Sequence, residues 1–189
     1  QTLLEMVAKP EFDLIVGGRH RTRVLFDGWR RTTIENLIAN SQTPFLLVCN
    51  PATAAYGKIL VPTAFSDACG RAAEVALTLA PNAEMRILHA WLAPFQGVTG
   101  DSKTDYVRAI QDELQDKADR WSAGLSGALP APQLVHGPVG ATLQHAIVHG
   151  RPDLIAIGAR TRSVSFAGLG SIAAELLRDP PTDVLVTRA

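Results

Sequence analysis

The stretch DLIAIGARTRS at residues 153–163 decides the fold, because DLIVGGRHRTR at residues 13–23 repeats it 140 positions earlier. The likeness continues from TTIENLIANSQTPFLLVCN (32–50) to SIAAELLRDPPTDVLVTRA (171–189), where an offset of 139 matches Thr43 with Thr182 and Leu46 with Leu185. A repeat of this length is the duplication of a domain, since solenoid repeats recur every roughly 20–50 residues. The first copy closes a segment that would begin before Gln1, so we expect the chain to start inside a module.

Composition limits the classes of function. The chain has 189 residues, which suits one full domain and a fragment of another. Its 18 basic and 18 acidic residues balance, so no global charge attracts it to nucleic acid or to a membrane. No run is long and apolar enough to span a bilayer. The two cysteines, Cys49 and Cys69, are too few for a disulfide framework and indicate a reducing, cytoplasmic location.

Alternating strand and helix patterns fill the second segment. Short runs rich in Val, Ile and Leu predict strands buried on both faces of a parallel sheet, at 58–64, 85–92, 133–137, 153–158 and 183–187. Helical patterns separate them at 66–80, with Ser66 as N-cap, at 104–125, at 142–150, with Gly150 as C-cap, and at 171–179. The order predicts an α/β fold with a doubly wound, five-stranded parallel sheet.

The first 50 residues predict less than a domain. They contain a helix (2–9), a strand (12–17), a helix (32–40) and a strand (44–49), which correspond to the end of the second segment. Two strands and two helices bury too little surface to be stable alone. We therefore divide the chain into the C-terminal part of a first module (1–50), a linker (51–57) and a complete module (58–189).

A ligand site is expected where the strand order of the sheet reverses. Two loops, 62–67 and 158–171, should meet there, beyond the carboxyl ends of their strands. Gly158 would allow a sharp turn, Gly170 and Ser171 would open the last helix, and Arg160 and Arg162 would add positive charge, as a phosphate site requires. The alternative is that Gly170 and Ser171 only cap the helix and that the arginines are solvated.

These segments together resemble the universal stress protein family in its tandem, two-module form. KILVPTAFSDACGRAAEVALTLA resembles the family's first strand and helix, and DLIAIGARTRSVSFAGLGSIAAELL followed by DVLVTR resembles its last elements. The resemblance spans 57–189, and 1–50 matches the family's C-terminal portion. It implies a Rossmann-like fold of the adenine nucleotide alpha hydrolase type.

The family's nucleotide loop is degenerate in this chain. Nucleotide-binding members carry G-x-x-G, nine residues, then G-[ST]; Gly158, Gly170 and Ser171 match this motif, Thr161 replaces the second glycine, and the spacer is one residue short. Binding members also have an Asp after the first strand, where this chain has Ala64. The candidate nucleotide-contacting residues are Pro62, Thr63, Ala64, Gly158, Arg160, Thr161, Gly170 and Ser171.

The first copy departs further from the motif. Gly18 matches the first glycine, but Arg21 replaces the second, and Arg31 and Thr32 replace the final pair. Six basic residues, counting His20, lie with Phe26 and Trp29 in the stretch 17–33. This stretch would suit nucleic acid or an acidic partner. The plainer interpretation is a solvated loop whose arginine stems pack on aromatic rings, and we expect no nucleic-acid partner.

Other chemistry is not indicated. His145 and His149 have the i, i+4 spacing of zinc ligands, but no Glu or Cys pair accompanies them, so we expect no metal. His89 and His136, at strand ends, are expected to be structural. Asp13 and Asp153 precede strands at the end opposite the site and are expected to cap the preceding turns.

The resemblance implies how the two copies associate. Family members pair through the last strand, which here would place Phe45, Leu46 and Leu47 against Val184, Leu185 and Val186, either between modules or in a homodimer. We expect a non-catalytic stress-response protein with an unidentified protein partner and no cofactor. The alternative is a sensor that binds ATP or AMP, with slow hydrolysis.

Overall fold

The computed structural model describes residues 12–18, 37–38, 41–93, 101–159 and 171–188, with the backbone alone at 101–104. Each predicted strand within these residues is present. The strands are β1 (Ile15–Gly18), β2 (Phe45–Val48), β3 (Lys58–Pro62), β4 (Glu84–Trp91), β5 (Gln133–His136), β6 (Leu154–Ala159) and β7 (Asp183–Arg188). They form one sheet in the order β1-β2-β7-β6-β3-β4-β5, parallel throughout except for the antiparallel pair β2 and β7.

Four helices connect the strands of the second segment. They are α1 (Asp67–Leu79), α2 (Asp101–Ala123), α3 (Val139–Gly150) and α4 (Ser171–Arg178). Ser66 is the N-cap of α1, as predicted, and its hydroxyl accepts a hydrogen bond from the Cys69 amide at 3.4 Å. The predicted helix 2–9 lies outside the described residues, and of 32–40 only Leu37 and Ile38 are described, both helical.

The end of α3 corrects the prediction for Gly150. Gly150 is the last helical residue, and Arg151 has the left-handed conformation, with φ of 46° and its amide bonded to the Ile147 carbonyl. Pro152 disfavours right-handed helical backbone at the residue before it, so the helix cannot continue through Arg151. The turn therefore falls one residue later than the glycine.

Apolar residues cover both faces of the sheet. Helices α3 and α4 pack on one face, over residues such as Leu60, Ile155 and Val184. Helix α1 packs on the other face through Ala72, Ala73 and Ala76, all fully buried. Because these side chains are small, the axis of α1 can lie close to the strands. Its first turn lies at the carboxyl edge of the sheet because α1 begins five residues after the end of β3.

The two repeat copies are joined through β2 and β7. Phe45 lies opposite Val186, Leu46 opposite Leu185 and Leu47 opposite Val184, the residues that the sequence places on the pairing edge. Leu46 and Leu185 are equivalent in the repeat, so a local two-fold axis passes between them. The carboxyl ends of β1 and β2 consequently lie at the opposite edge of the sheet from those of β3 to β7.

Two carboxylates hold the segment that joins the copies. Asp183 is buried, and its Oδ1 accepts hydrogen bonds from the amides of Cys49 and Asn50, while its Oδ2 accepts one from the Tyr56 hydroxyl at 2.7 Å. Burial first, and then the hydrogen bond and charge of Asp183, raise the pKa of Tyr56 above its usual range. The start of the linker and its aromatic residue are thus attached to the first residue of β7.

Asp153 holds the other end of the linker. Its Oδ2 accepts hydrogen bonds from the amides of Gly57 and Lys58, both at 2.9 Å. The expectation that Asp153 caps its own preceding turn is therefore wrong. The carboxylate acts across the sheet instead, because β6 and β3 are parallel neighbours and the amides at the start of β3 point toward it.

Candidate functional site

The loop after β3 is held by its own polar groups. Thr63 is buried, its amide donates to the Leu88 carbonyl, and its hydroxyl accepts a hydrogen bond from the Phe65 amide at 2.9 Å. The Thr63 carbonyl accepts a hydrogen bond from Nδ1 of His89 at 2.8 Å. Since a carbonyl can only accept, this contact assigns the proton of the His89 ring to Nδ1. His89 thus has the structural role expected for it.

Phe65 has a backbone conformation that side chains rarely adopt. Its φ is 58°, in the left-handed region, which costs a non-glycine residue about 1–2 kcal/mol. Its ring packs on the His89 ring with centroids 4.4 Å apart and meets the edge of Trp121 at 5.7 Å. The ammonium of Lys117 lies 5.8 Å from the ring centroid. These contacts, together with the bond to Thr63, offset the backbone strain and fix the loop.

Helix α1 is anchored at this edge by backbone contacts. The Trp121 indole donates to the Ser66 carbonyl at 3.1 Å, and the Thr187 hydroxyl donates to the Ala68 carbonyl at 2.7 Å. The guanidinium of Arg71 donates to the Arg188 carbonyl. Asp67 is exposed and is the first residue of the helix. The first turn of α1 is therefore fixed against both α2 and β7.

Gly158 does not form the sharp turn that the sequence predicts. It lies inside β6 and not at a turn, and a Cβ there would contact the backbone of Cys69 and lie 2.5 Å from the Ala68 carbonyl carbon. The absent side chain lets the first turn of α1 pack directly on β6. Sequence alone could not separate these roles, because a glycine at the end of a strand is compatible with both.

The ends of β3 and β6 lie side by side at the carboxyl edge of the sheet, as the strand order requires. The register places Leu60 beside Ile155, so Thr63 and Gly158 follow neighbouring strands to the same edge. Ser171 is exposed and is the first residue of α4. Arg160, Thr161 and Gly170 lie outside the described residues, as does the basic stretch after Gly18. The described part of the candidate site is therefore Pro62, Thr63, Ala64, Gly158 and Ser171.

Sequence reasoning missed the aromatic group around Phe65. Trp121 and Lys117 lie in the helical pattern 104–125, which the sequence does not connect with Phe65. The signal that could have found the group is the spacing of the two residues on α2, since residues four apart share a face. The left-handed backbone of Phe65 has no signal in the sequence.

The part of the chain described by the structure contains no group of three or more His, Cys, Asp and Glu residues placed to hold a metal. His145 and His149 stack with ring centroids 4.0 Å apart, and Nδ1 of His149 donates to the His145 carbonyl. Across the same residues, no helix is long and apolar enough to cross a membrane.

A cavity of about 160 Å³ lies away from the candidate site, at the opposite edge of the sheet. It separates the start of β3 and β4 from the end of α3, and its charged and polar lining includes Lys58, Glu84, Arg86 and His149. The Arg86 guanidinium donates to the Gln133 side chain at 2.7 Å. The amino ends of parallel strands are not where ligands bind in such folds, so we place the candidate site at the carboxyl edge.

Comparison with known proteins supports this topology. The profile of the universal stress protein family matches residues 55–188. A Pseudomonas aeruginosa protein of unknown function is 15% identical with a TM-score of 0.67, and the match covers 100% of this chain and 68% of that one. A universal stress protein from Archaeoglobus fulgidus is 19% identical with a TM-score of 0.61, covering 98% of this chain and 64% of that one.

A shorter relative matches part of the chain. The universal stress protein UspA from Lactobacillus plantarum is 23% identical with a TM-score of 0.52, and the match covers 72% of this chain and 100% of that one. At these identities the three structures show the fold alone. No curated protein matches the chain.

Proposed function

This chain belongs to the universal stress protein family, and on that premise we propose that it is a stress-response protein without catalytic activity. It pairs through its last strand, binds a protein partner and carries a degenerate nucleotide site. The observation that carries the proposal is the loop after β3, where the residue at the expected carboxylate position is Ala64.

The polar groups next to Ala64 are already hydrogen-bonded, and the nearest carboxylate, Asp67, lies three residues on in the first turn of α1. The hydroxyl of Thr63 is bonded to Phe65, and its carbonyl is bonded to His89. The hydroxyl of Ser66 caps α1. The loss of a hydrogen bond to a charged group costs about 1.5–3 kcal/mol, or roughly ten- to a hundredfold in affinity. We therefore expect the affinity for a nucleoside to be weak.

The pairing of β2 with β7 bears on the partner. Since β2 covers the free edge of β7 within the chain, we propose the inter-module form of the family's pairing for this molecule rather than a homodimer through the same strand. A protein partner would then bind a surface other than this edge.

A second candidate function is a sensor that binds ATP or AMP. It is favoured by Ser171, which opens α4 at the same edge as Thr63, where the free amides of a helix start attract phosphate. In such a sensor, contacts to the phosphates would supply most of the free energy of binding, and contacts to the nucleoside would supply little.

Calorimetric titration with ATP and Mg²⁺, after assay of any co-purified nucleotide, separates the two. We expect no saturable heat from the unmodified protein at millimolar ATP, and a gain of roughly ten- to a hundredfold in affinity in Ala64→Asp. Ala141→Asp, which places the same charge on an exposed position of α3, is the matched control and should gain nothing.

Micromolar binding by the unmodified protein would contradict the proposal. If Ser171→Glu abolished that binding, the sensor would be the better assignment, since a negative charge at the start of α4 repels phosphate but is compatible with the helix.

A further inference from the structure

The cavity at the amino ends of β3 and β4 arises from the sequence of α3. The positions of α3 that face the sheet carry smaller side chains along the helix, from Leu143 to Ala146 to Gly150. A Cβ at Gly150 would meet no atom within 4 Å, so the last turn of the helix leaves space above the strands. The helix ends there, because Arg151 adopts the left-handed conformation. The cavity of about 160 Å³ lies in the space that this end of α3 leaves uncovered.

The first residues of β3 and β4 form the floor of the cavity. Lys58 lies opposite Glu84, and Leu60 lies opposite Arg86. Alternate residues of a strand share a face, so these four side chains extend from the face that α3 covers. Lys58 and Glu84 are exposed, whereas Leu60 is buried and lines the cavity together with Ala146. The cavity therefore has an apolar interior and charged groups at its mouth.

The guanidinium of Arg86 is held in the wall of the cavity with part of the group free. Its Nε donates to the Gln133 side chain at 2.7 Å, which orients the planar group. Among the residues that the structure describes, its two terminal nitrogens have no hydrogen-bond or ion-pair partner. The parallel N–H groups of a guanidinium match the two oxygens of a carboxylate.

The charge of the lining favours an anion. Two cations, Lys58 and Arg86, face the single carboxylate of Glu84, and no ion pair joins these groups to one another. Asp153 is the nearest further carboxylate along β3, but it does not line the cavity, and its Oδ2 already accepts two backbone amides.

The end of α3 repels an anion less than a bare helix end would. Free carbonyls at a helix C-terminus carry partial negative charge. In α3 the His145 carbonyl accepts a hydrogen bond from Nδ1 of His149. The Ile147 carbonyl accepts one from the amide of Arg151. Because these carbonyls are bonded, the cations of the strands determine the sign of the potential in the cavity.

We propose that this cavity binds a small organic carboxylate with a compact apolar body. The carboxylate accepts hydrogen bonds from the terminal nitrogens of Arg86 and from the ammonium of Lys58, and the apolar body lies on Leu60 and Ala146. A cavity of about 150 Å³ holds a benzene ring, so a carboxylate of the size of benzoate fits the space. The site lies at the opposite edge of the sheet from the proposed nucleotide site and does not depend on the proposed function.

The test is a titration of the full chain with benzoate, followed in two-dimensional amide NMR spectra. We expect saturable shifts at the lining residues, with Lys58, Arg86 and Gly150 among them. Arg86→Met, which keeps the apolar stem and removes the fork, should weaken binding about tenfold or more. Glu84→Gln should strengthen it about two- to threefold, because it removes a like charge from the mouth of the cavity. Benzyl alcohol, which has the ring without the carboxylate, should bind the unmodified chain about tenfold more weakly than benzoate.

Two substitutions of one kind separate the cavity from general effects on the helix. Gly150→Leu fills the open space and should abolish benzoate binding while both cations remain. Gly140→Leu, near the start of the same helix and also without an atom within 4 Å of its Cβ, should leave binding unchanged. The absence of saturable shifts up to the solubility of benzoate, or binding that survives both Arg86→Met and Gly150→Leu, would overturn the inference. Acetate or inorganic phosphate that bound at the same amides as tightly as benzoate would also overturn it, since the apolar body would then contribute nothing.

Discussion

At the scale of single residues, glycine and alanine determine how closely helix α1 packs on the sheet. Gly158 brings α1 onto β6, and the alanines at 72, 73 and 76 continue that close contact along the helix. The equivalent glycine of the first copy, Gly18, has open space around it. These two glycines are equivalent in the repeat, but a methyl group would overlap α1 at Gly158 and would meet no atom at Gly18.

This pair gives a prediction about stability. Gly158→Ala should destabilise the protein by about 1–3 kcal/mol, because the new methyl group overlaps the first turn of α1. Gly18→Ala should change the free energy of unfolding by less than about 0.5 kcal/mol. Urea denaturation of both variants measures the difference. Equal stabilities would mean that α1 can move away from β6 without cost.

Arg151 supports a second prediction at this scale. Its left-handed backbone costs a non-glycine residue about 1–2 kcal/mol, so Arg151→Gly should stabilise the protein by up to about 1 kcal/mol after the entropy of glycine is subtracted. Gln144→Gly, at an exposed position inside the same helix, should instead destabilise by about 1 kcal/mol. Thermal unfolding of the two variants should shift in opposite directions, and a common direction would contradict this assignment.

Local chemistry explains which of these residues the sequence could predict. The Ser66 cap was predictable because it needs only a hydroxyl three residues before the amide it binds. The role of Gly158 was not, because the helix that touches it lies about ninety residues away in the chain. The strained backbone of Phe65 depends on His89 and Trp121, which no local pattern connects to it.

At the scale of elements, two aspartates at strand starts hold the linker. Asp183 binds residues 49, 50 and 56, and Asp153 binds residues 57 and 58. The Pro, Ala and Gly content of this linker would by itself predict a segment without fixed contacts to the rest of the protein. The structure instead attaches both of its ends. The sequence predicted a local role for Asp153 and none for Asp183, because a carboxylate that acts across a sheet leaves no local pattern.

The bond between Tyr56 and Asp183 predicts an alkaline effect. The pKa of Tyr56 is raised above its ordinary value of 10.0 in the folded protein, so the folded state keeps this proton where the unfolded state loses it. The free energy of unfolding should therefore be at its full value below about pH 10 and fall as the pH rises further. Tyr56→Phe should be less stable at neutral pH and should lose less stability between about pH 9 and about pH 11. Parallel slopes for the two proteins, measured by urea denaturation, would contradict this.

At the scale of the whole molecule, one sheet with a local two-fold axis contains the described strands of both repeat copies. The apolar runs predicted the seven described strands, and the family resemblance predicted which two of them join the repeat copies. The candidate site was predictable only to the level of its loops, because the strand order places loops, whereas side-chain contacts depend on packing between distant helices.

The pairing predicts the behaviour of a shortened chain. A protein of residues 58–189 would expose the edge of β7, whose Val184, Leu185 and Val186 are buried against the rest of the sheet in the complete chain. Because Leu185 already pairs with its own repeat equivalent, a second copy can take the place of β2. We expect a concentration-dependent dimer in analytical ultracentrifugation, and less self-association of the complete chain at equal concentration. A shortened chain that stays monomeric would contradict the equivalence of the two edges.

The antiparallel contact of β2 with β7 also makes the molecule two-ended. The carboxyl end of β1 lies at one edge of the sheet, and the carboxyl ends of β3 and β6 lie at the other. A ligand bound at one edge would be separated from a ligand bound at the other edge by the length of the strands. The two ligands would therefore not compete for space. A surface that carries ligands for both edges would therefore bind this molecule with an avidity greater than its affinity for either ligand alone.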